Sequence, residues 1–390
     1  MKKNLLMFVL FLVLGLTITA CSKEEDENTI PEGTADVTID EDNTEVTASN
    51  VTNWTQYAVQ VANLLTKDAT DLKNAWSEDY NGKGSYAETF KNPGTGKTFT
   101  SYANCAQQIV EGCADIASEV GTAKMGEPRD LWEAGKYTEA VYAVESWYSF
   151  HSIEDYSNNI LSIRNAIMGS RNGKQADNSI AAYLQKNNVT LYSSIINKID
   201  AAYNAIQSIT APFRSHIGSS TVLVAMHACA TLESALTNDL KPVIMSANEN
   251  DLKPIIETYV DDVVLPTYAN LVTLNMNLNT AIRNLANNPS TATFSAAASA
   301  WMNARAPWET SEAFLFGPVA DLGLDPNMDS WPLDADALKN IIEKGNFDDL
   351  EWTGEFDEDD ETIAAAQNVR GFHTLEFLLF KNGQPRTFNR

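Results

Sequence analysis

Two six-residue runs in this chain match one another: Ser149-Phe150-His151-Ser152-Ile153-Glu154 and Gly371-Phe372-His373-Thr374-Leu375-Glu376. Each follows an Ala-Trp pair, Ala75-Trp76 and Ala300-Trp301. The spacings nearly agree, with 75 residues from Trp76 to His151 and 72 from Trp301 to His373. Two landmarks repeated in one order predict duplication, that is, two related units that each carry a Trp and a Phe-His-x-x-Glu. The sequence around them predicts what those units are made of. Trp54, Tyr57, Val61, Leu64 and Leu65 recur at helical steps, as do Ile195, Ile199, Tyr203 and Ile206, and Leu271, Leu274, Leu278, Ile282 and Leu285. No segment sustains the alternation of a strand. Helices are expected near 52–76, 100–121, 130–169, 177–208, 217–239, 249–286, 291–305 and 359–381, parted by breakers such as Asn92-Pro93-Gly94 and Asn288-Pro289. The expected fold is all-α, two related four-helix-bundle domains over 51–245 and 246–390 with a functional site at their interface.

On a helix, His and Glu three apart share a face, with Cβ atoms about 5–6 Å apart. Two bundles related by a pseudo-twofold axis would turn both pairs toward the cleft between them. His151, Glu154, His373 and Glu376 are therefore the candidate metal ligands, a mixed nitrogen and oxygen set that suits iron or zinc better than calcium. The competing reading of each pair is a core histidine bonded to its helical neighbour. Arg305, Glu309 and Glu312 also share a face, and Arg305 and Glu309 are expected to pair. Glu312 lies among Phe314, Phe316 and Gly317, and a carboxylate among aromatics is either paired or functional. Ser149, Ser152 and Asp155 recur at three-residue steps, placed to bond a ligand or to cross-link helices.

The N-terminus reads as an export signal. Lys2 and Lys3 precede an apolar run from Leu5 to Leu16, and Ile18-Thr19-Ala20-Cys21 follows as a small-residue cleavage site ending in cysteine. This is the lipoprotein form of a signal peptide, over residues 1–20, and it predicts lipidation of Cys21 and a membrane anchor. Ser22-Lys23-Glu24-Glu25-Asp26-Glu27 resembles the acidic signal of surface-exposed outer-membrane lipoproteins, and residues 21–50 read as a solvated tether. The formal charge of −25 disfavours nucleic acid and anionic lipid as partners. Cys105, Cys113 and Cys229 show no metal-binding spacing. A helical HExxH, a Gly-x-Ser-x-Gly elbow and phosphate-binding glycine loops are absent from the sequence.

Gly371 to Glu376, continuing through Phe377-Leu378-Leu379-Phe380, resembles the GxHxxE motif of imelysin-like proteins. Arg305-Ala306-Pro307-Trp308-Glu309 through Gly317-Pro318 resembles that family's second signature, followed by Asp325 and Asp329-Ser330-Trp331-Pro332. The order of parts is permuted, because segments around Trp76 and His151 resemble ones normally found after GxHxxE. The resemblance is to a circularly permuted, Bacteroides-type branch. It implies two four-helix bundles with the site at their interface and a role in iron uptake with a metal ion or small metal-bearing ligand. An outer-membrane transport partner would go with that role; zinc-dependent peptidase activity is one alternative, and a surface protein that binds a non-metal ligand, with both HxxE pairs as packing devices, is another. The implied site gathers His373 and Glu376, with Gly371, Arg305, Glu312, His151, Ser149, Ser152 and Asp155 around them.

Overall fold

The computed structural model describes residues 37–39, 43–352 and 354–388. Eight of the helices among the described residues, labelled in chain order, form the bundles: α1 Val51–Ser77, α2 Tyr102–Glu119, α3 Ser152–Met168, α4 Val189–Gln207, α5 Ser220–Ala235, α6 Leu265–Asn287, α7 Thr291–Glu309 and α8 Gly371–Leu379. Helices α2, α5, α4 and α3 pack in a ring as one four-helix bundle, and α1, α6, α7 and α8 as the other. The protein is all-α. Among the described residues, strand is confined to Phe380–Lys381 paired antiparallel with Gln384–Pro385 across an Asn382-Gly383 turn.

Local chemistry sets the helix ends. The side chains of Ser101 and Asn188 cap α2 and α4. Ser290 and Thr293 form a reciprocal capping box on α7, and Gly169 closes α3 in the left-handed conformation. The apolar stripes read from the sequence are the two cores: Trp54, Tyr57, Val61, Leu65, Leu271, Leu278 and Ile282 are buried in one, Ile195 and Ile199 in the other. Cys105, Cys113 and Cys229 are free and buried.

Four expectations are corrected. The packing does not divide at residue 245, because α1 pairs with α6 and α8 and so belongs to the bundle formed by the end of the chain. The expectation of one Trp in each bundle fails for the same reason, since Trp76 on α1 and Trp301 on α7 stand in one bundle, whereas the helices that follow His151 and carry His373 stand one in each. Three expected helices are broken, 177–208 at Asn188, where a new helix is capped. The 130–169 stretch is interrupted by an irregular loop over 143–151, with Ser146 and Phe150 at positive φ, and 359–381 is broken before Gly371. Finally, the tether does not run to residue 50. Ile39 and Val46 are buried, and the carbonyls of Val37 and Thr44 accept bonds from Arg214 and Arg386. The signal peptide and Cys21 lie outside the described residues.

The two ends of the described chain meet. Arg386 donates Nη1 to Thr44 O at 2.6 Å and Nε to Phe377 O at 2.8 Å, and Trp54 Nε1 donates to Leu378 O at 2.8 Å. Adjacent ends are the geometric requirement of a permuted order.

Candidate metal centre

Arg305 on α7 is wholly buried where the two bundles join, and carboxylates surround it. Its Nη2 lies 2.6 Å from Glu145 Oε1 and 2.8 Å from Glu309 Oε1, its Nε lies 3.2 Å from Asp155 Oδ2, and its Nη1 pairs with Asp329. The planar guanidinium fork serves four acids on different elements at once. Ser146 Oγ donates to Asp155 Oδ2 at 2.5 Å, Ser152 Oγ donates to Glu145 O at 2.6 Å, and Trp308 Nε1 donates to Asp329 Oδ2 at 2.6 Å.

His373 on α8 enters this cluster from the other side. Its Nδ1 meets Glu376 Oε2 at 3.0 Å, and Glu376 Oε1 in turn accepts the Ser149 N–H at 2.8 Å and the Ser149 hydroxyl at 2.7 Å. With Nδ1–H committed to Glu376, Nε2 is the atom turned toward Asp329 Oδ1 at 3.2 Å and Glu145 Oε1 at 3.4 Å. A carboxylate that fixes the tautomer and orientation of a histidine is the arrangement found behind metal-ligating imidazoles.

Lys124 supplies the second buried cation. It ends a single π-helical turn, Val120–Lys124, that continues α2, and its Nζ lies 3.0 Å from Glu145 Oε2, 3.8 Å from Glu119 and 3.9 Å from Glu312. Above it opens a cavity of about 690 Å³ between the bundles, with Tyr142, Phe316 and Trp331 in its wall. Eight carboxylates line it against one lysine.

Charge is unevenly distributed over these acids. Burial opposes ionisation of Glu145, but Lys124, His373 and Arg305 hold it down at about 2. Asp329 is likewise buried, and Arg305 and His373 keep it well below the usual carboxylate range. Burial and Arg305 oppose a charge on His373, yet Asp329 and Glu145 outweigh them and raise it well above the usual value. Burial pushes Glu309 and Glu312 far up, only partly offset by Arg305 and Lys124 respectively, and burial with the neighbouring Asp329 brings Asp325 to about 7. Protons therefore occupy places that a further cation could take.

The donor set fits a metal ion. One ligand atom each from Glu145, Asp329 and His373 lie within 4.8 Å of one another, and so do atoms of Glu309, Glu312 and Asp329. Arg305 bridges a third group, Glu145, Asp155 and Glu309. One imidazole nitrogen among several carboxylates is a mixed donor set that iron or zinc can use.

The imelysin family model matches residues 35–238 and 264–389. The chain belongs to the imelysin family. The crystal structure of an imelysin peptidase from Bacteroides ovatus is 50% identical and superposes with a TM-score of 0.88 over 90% of this chain and 100% of that one. Iron-regulated protein A of Synechococcus elongatus is 29% identical over 181 residues, which span 45% of this chain and 40% of that relative.

Within this imelysin-family chain the GxHxxE motif has a local reason for each fixed position. Gly371 sits at φ +87°, and a Cβ there would lie 2.4 Å from Met328 O, so only glycine lets α8 start against that carbonyl. His373 faces the cluster, and Glu376 holds it. Glu376 is expected as a ligand, but its oxygens are engaged by His373 and Ser149, so it orients the imidazole instead.

The other pair does not join the centre. His151 is the N-cap of α3, edge-on to Trp301 with ring centroids 6.1 Å apart, and its Nδ1 is 3.9 Å from the half-exposed Glu154. Neither belongs to any of the three groups among the described residues. The reason is the loop over 143–151, which ends the expected helix and leaves His151 at its rim. That loop instead turns Glu145, Ser146 and Ser149 inward. Arg305 and Asp155 are gathered as expected but are engaged by protein groups, Arg305 by four acids and Asp155 by Arg305 and Ser146, whereas Glu312 faces the cavity beside Lys124. Glu145 and Lys124 were missed, because each stood inside or just beyond a run that reads as uninterrupted helix. The pointer available was Asp329-Ser330-Trp331-Pro332, where an acid precedes two residues that line the cavity.

Proposed function

We propose that this imelysin-family protein binds a metal ion, iron foremost and zinc as the alternative, bare or carried on a small ligand, at the junction of its bundles. The convergence of His373 Nε2 with Asp329 and Glu145 carries this reading. His373, Glu145 and Asp329 would be the ligands, Glu376 and Ser149 would orient the imidazole, and Arg305 would keep Glu145 and Asp329 ionised and in place. The acidic cavity would concentrate cations at the entrance. Similarity to an iron-regulated protein supports an iron-linked role, and the Cys-terminated leader supports anchoring by lipid on Cys21 at the outer-membrane surface, beside a transport partner.

A peptidase reading is favoured by the similarity to a solved imelysin peptidase. It would use the bound ion to polarise a peptide carbonyl, with the protonated Glu309 or Glu312 as proton donor. Elemental analysis of purified protein beside His373→Ala and Glu145→Gln tests the first reading. Near-stoichiometric iron or zinc, lost in both variants, is expected. No metal and no affinity on titration would sink it. Turnover of a peptide library, abolished in His373→Ala, would favour the peptidase.

A further inference from the structure

We propose that Lys124 is a built-in counter-ion of the metal centre, which fills it with a tethered ammonium when no ion is bound and withdraws along the cavity wall when a multivalent ion enters. This rests on the metal reading above and adds the device that regulates it.

Three observations carry it. The ammonium stands between carboxylates of two of the ligand groups, 3.0 Å from Glu145 Oε2 and 3.9 Å from Glu312 Oε1. An ion bound through Glu145 would therefore sit beside a positive charge already in place. Close like charges in a buried setting repel strongly, so ion and ammonium cannot share the pocket at full occupancy. Second, a place to retreat exists. Glu119 lies 3.8 Å from the same Nζ, is half-exposed, and lines the cavity. Transfer from Glu145 to Glu119 is a rotation of a flexible four-carbon stem into open space, with no change of fold. Third, the backbone provides for it. Lys124 ends the π-helical turn Val120–Lys124, a distortion that places one residue out of α-helical register and is concentrated at functional sites.

The consequence is selectivity by charge. A monovalent ion gains no more from the carboxylates than the tethered ammonium it would displace. A divalent or trivalent ion gains more and displaces it. Lys124 lowers affinity for all cations and lowers it most for weakly charged ones, which keeps the centre free of potassium and sodium.

The test titrates purified full-length protein with Fe(II), Zn(II) and K⁺ by calorimetry, in wild type, Lys124→Gln, Lys124→Arg and Glu119→Gln. Lys124→Gln is expected to bind the divalent ions at least tenfold tighter than wild type, and Lys124→Arg to stay within about threefold of it. Glu119→Gln, a half-exposed change that leaves the fold intact, is expected to weaken binding several-fold by removing the retreat position. Divalent binding by wild type with unchanged or weaker binding by Lys124→Gln, and no effect of Glu119→Gln, would overturn the proposal and leave the metal reading standing. If Lys124→Gln fails to fold, Lys124→Met takes its place, because Glu119→Gln by itself also removes a carboxylate that draws cations into the cavity. Binding by Lys124→Gln but not wild type supports the internal counter-ion. Absence of binding in every protein overturns the metal reading itself.

Discussion

Ser149 holds one oxygen of Glu376 with two donors, its N–H at 2.8 Å and its hydroxyl at 2.7 Å, while the other oxygen holds His373 at 3.0 Å. A loop residue of one bundle thus sets the orientation of an imidazole in the other. Groups that orient a ligating histidine typically matter by about 10–100-fold in metal affinity. Ser149→Ala, which keeps the N–H, is expected at the lower end of that range, and Glu376→Gln at the upper end. Metal titration of both checks this. Equal affinity in wild type and Glu376→Gln would mean that His373 needs no such support.

Arg305 answers four buried acids, so its removal strands several charges at once. Breaking a buried pair from one side costs roughly 3–5 kcal/mol. Arg305→Met is expected to lose at least that much stability. Arg305→Lys, a point charge without the fork, is expected to recover only part of it. Urea unfolding at neutral pH measures both, and a loss under about 1 kcal/mol in Arg305→Met would show that the four contacts contribute little.

Asp325 predicts a pH signature. Its folded-state value of about 7 is above that of an ordinary aspartic acid, so between about pH 4 and 7 the folded protein keeps a proton that the unfolded chain has released. Stability from this group therefore falls as pH rises through that window, and the deficit persists above it. Asp325→Asn should raise stability at pH 8 by on the order of 1–2 kcal/mol, allowing for partial exposure, with no gain below about pH 4. Glu145, held at about 2, contributes in the opposite sense, giving stability that is present above about pH 4.5 and lost as pH falls toward 2. Melting curves of Asp325→Asn and wild type from pH 3 to 8 test the first claim. A constant offset at all pH values would contradict it.

Gly371→Ala is expected to be costly although it adds one methyl group. A Cβ 2.4 Å from Met328 O forces either that carbonyl or the start of α8 to move, in a conformation already unfavourable at φ +87°. Destabilisation of about 2–4 kcal/mol is expected, with metal affinity falling too because His373 moves with α8. His151→Ala should leave affinity unchanged. A matched loss in His151→Ala would restore the second histidine to the centre.

The sequence carried the fold class through periodicity, since Trp54, Tyr57, Val61 and Leu65 recur at the spacing that buries one face of α1. It carried His373 and Arg305 through the resemblance. It misplaced α1 because the pairing of α1 with α6 spans about two hundred residues and leaves no local mark. It hid Glu145 because a loop with two positive-φ residues, Ser146 and Phe150, contains no glycine to announce it. The hairpin that braces this loop through the Gly383 N–H, which donates to Tyr148 O at 2.9 Å, went unread although Asn382-Gly383 is a turn signal.

The meeting of the chain ends at Arg386 has a mechanical consequence. Thr44 O, Arg386 and Phe377 O form one hydrogen-bonded series, and Phe377 follows Glu376 directly. Tension applied at Val37 meets the Arg214 bond and the buried Ile39 first, and past them Thr44 and Arg386 pass it to the segment that aims His373. The front of the chain is thus a mechanical handle on α8 as well as on the core, and optical-trap extension with a fluorescent metal reporter would read how far the two are coupled.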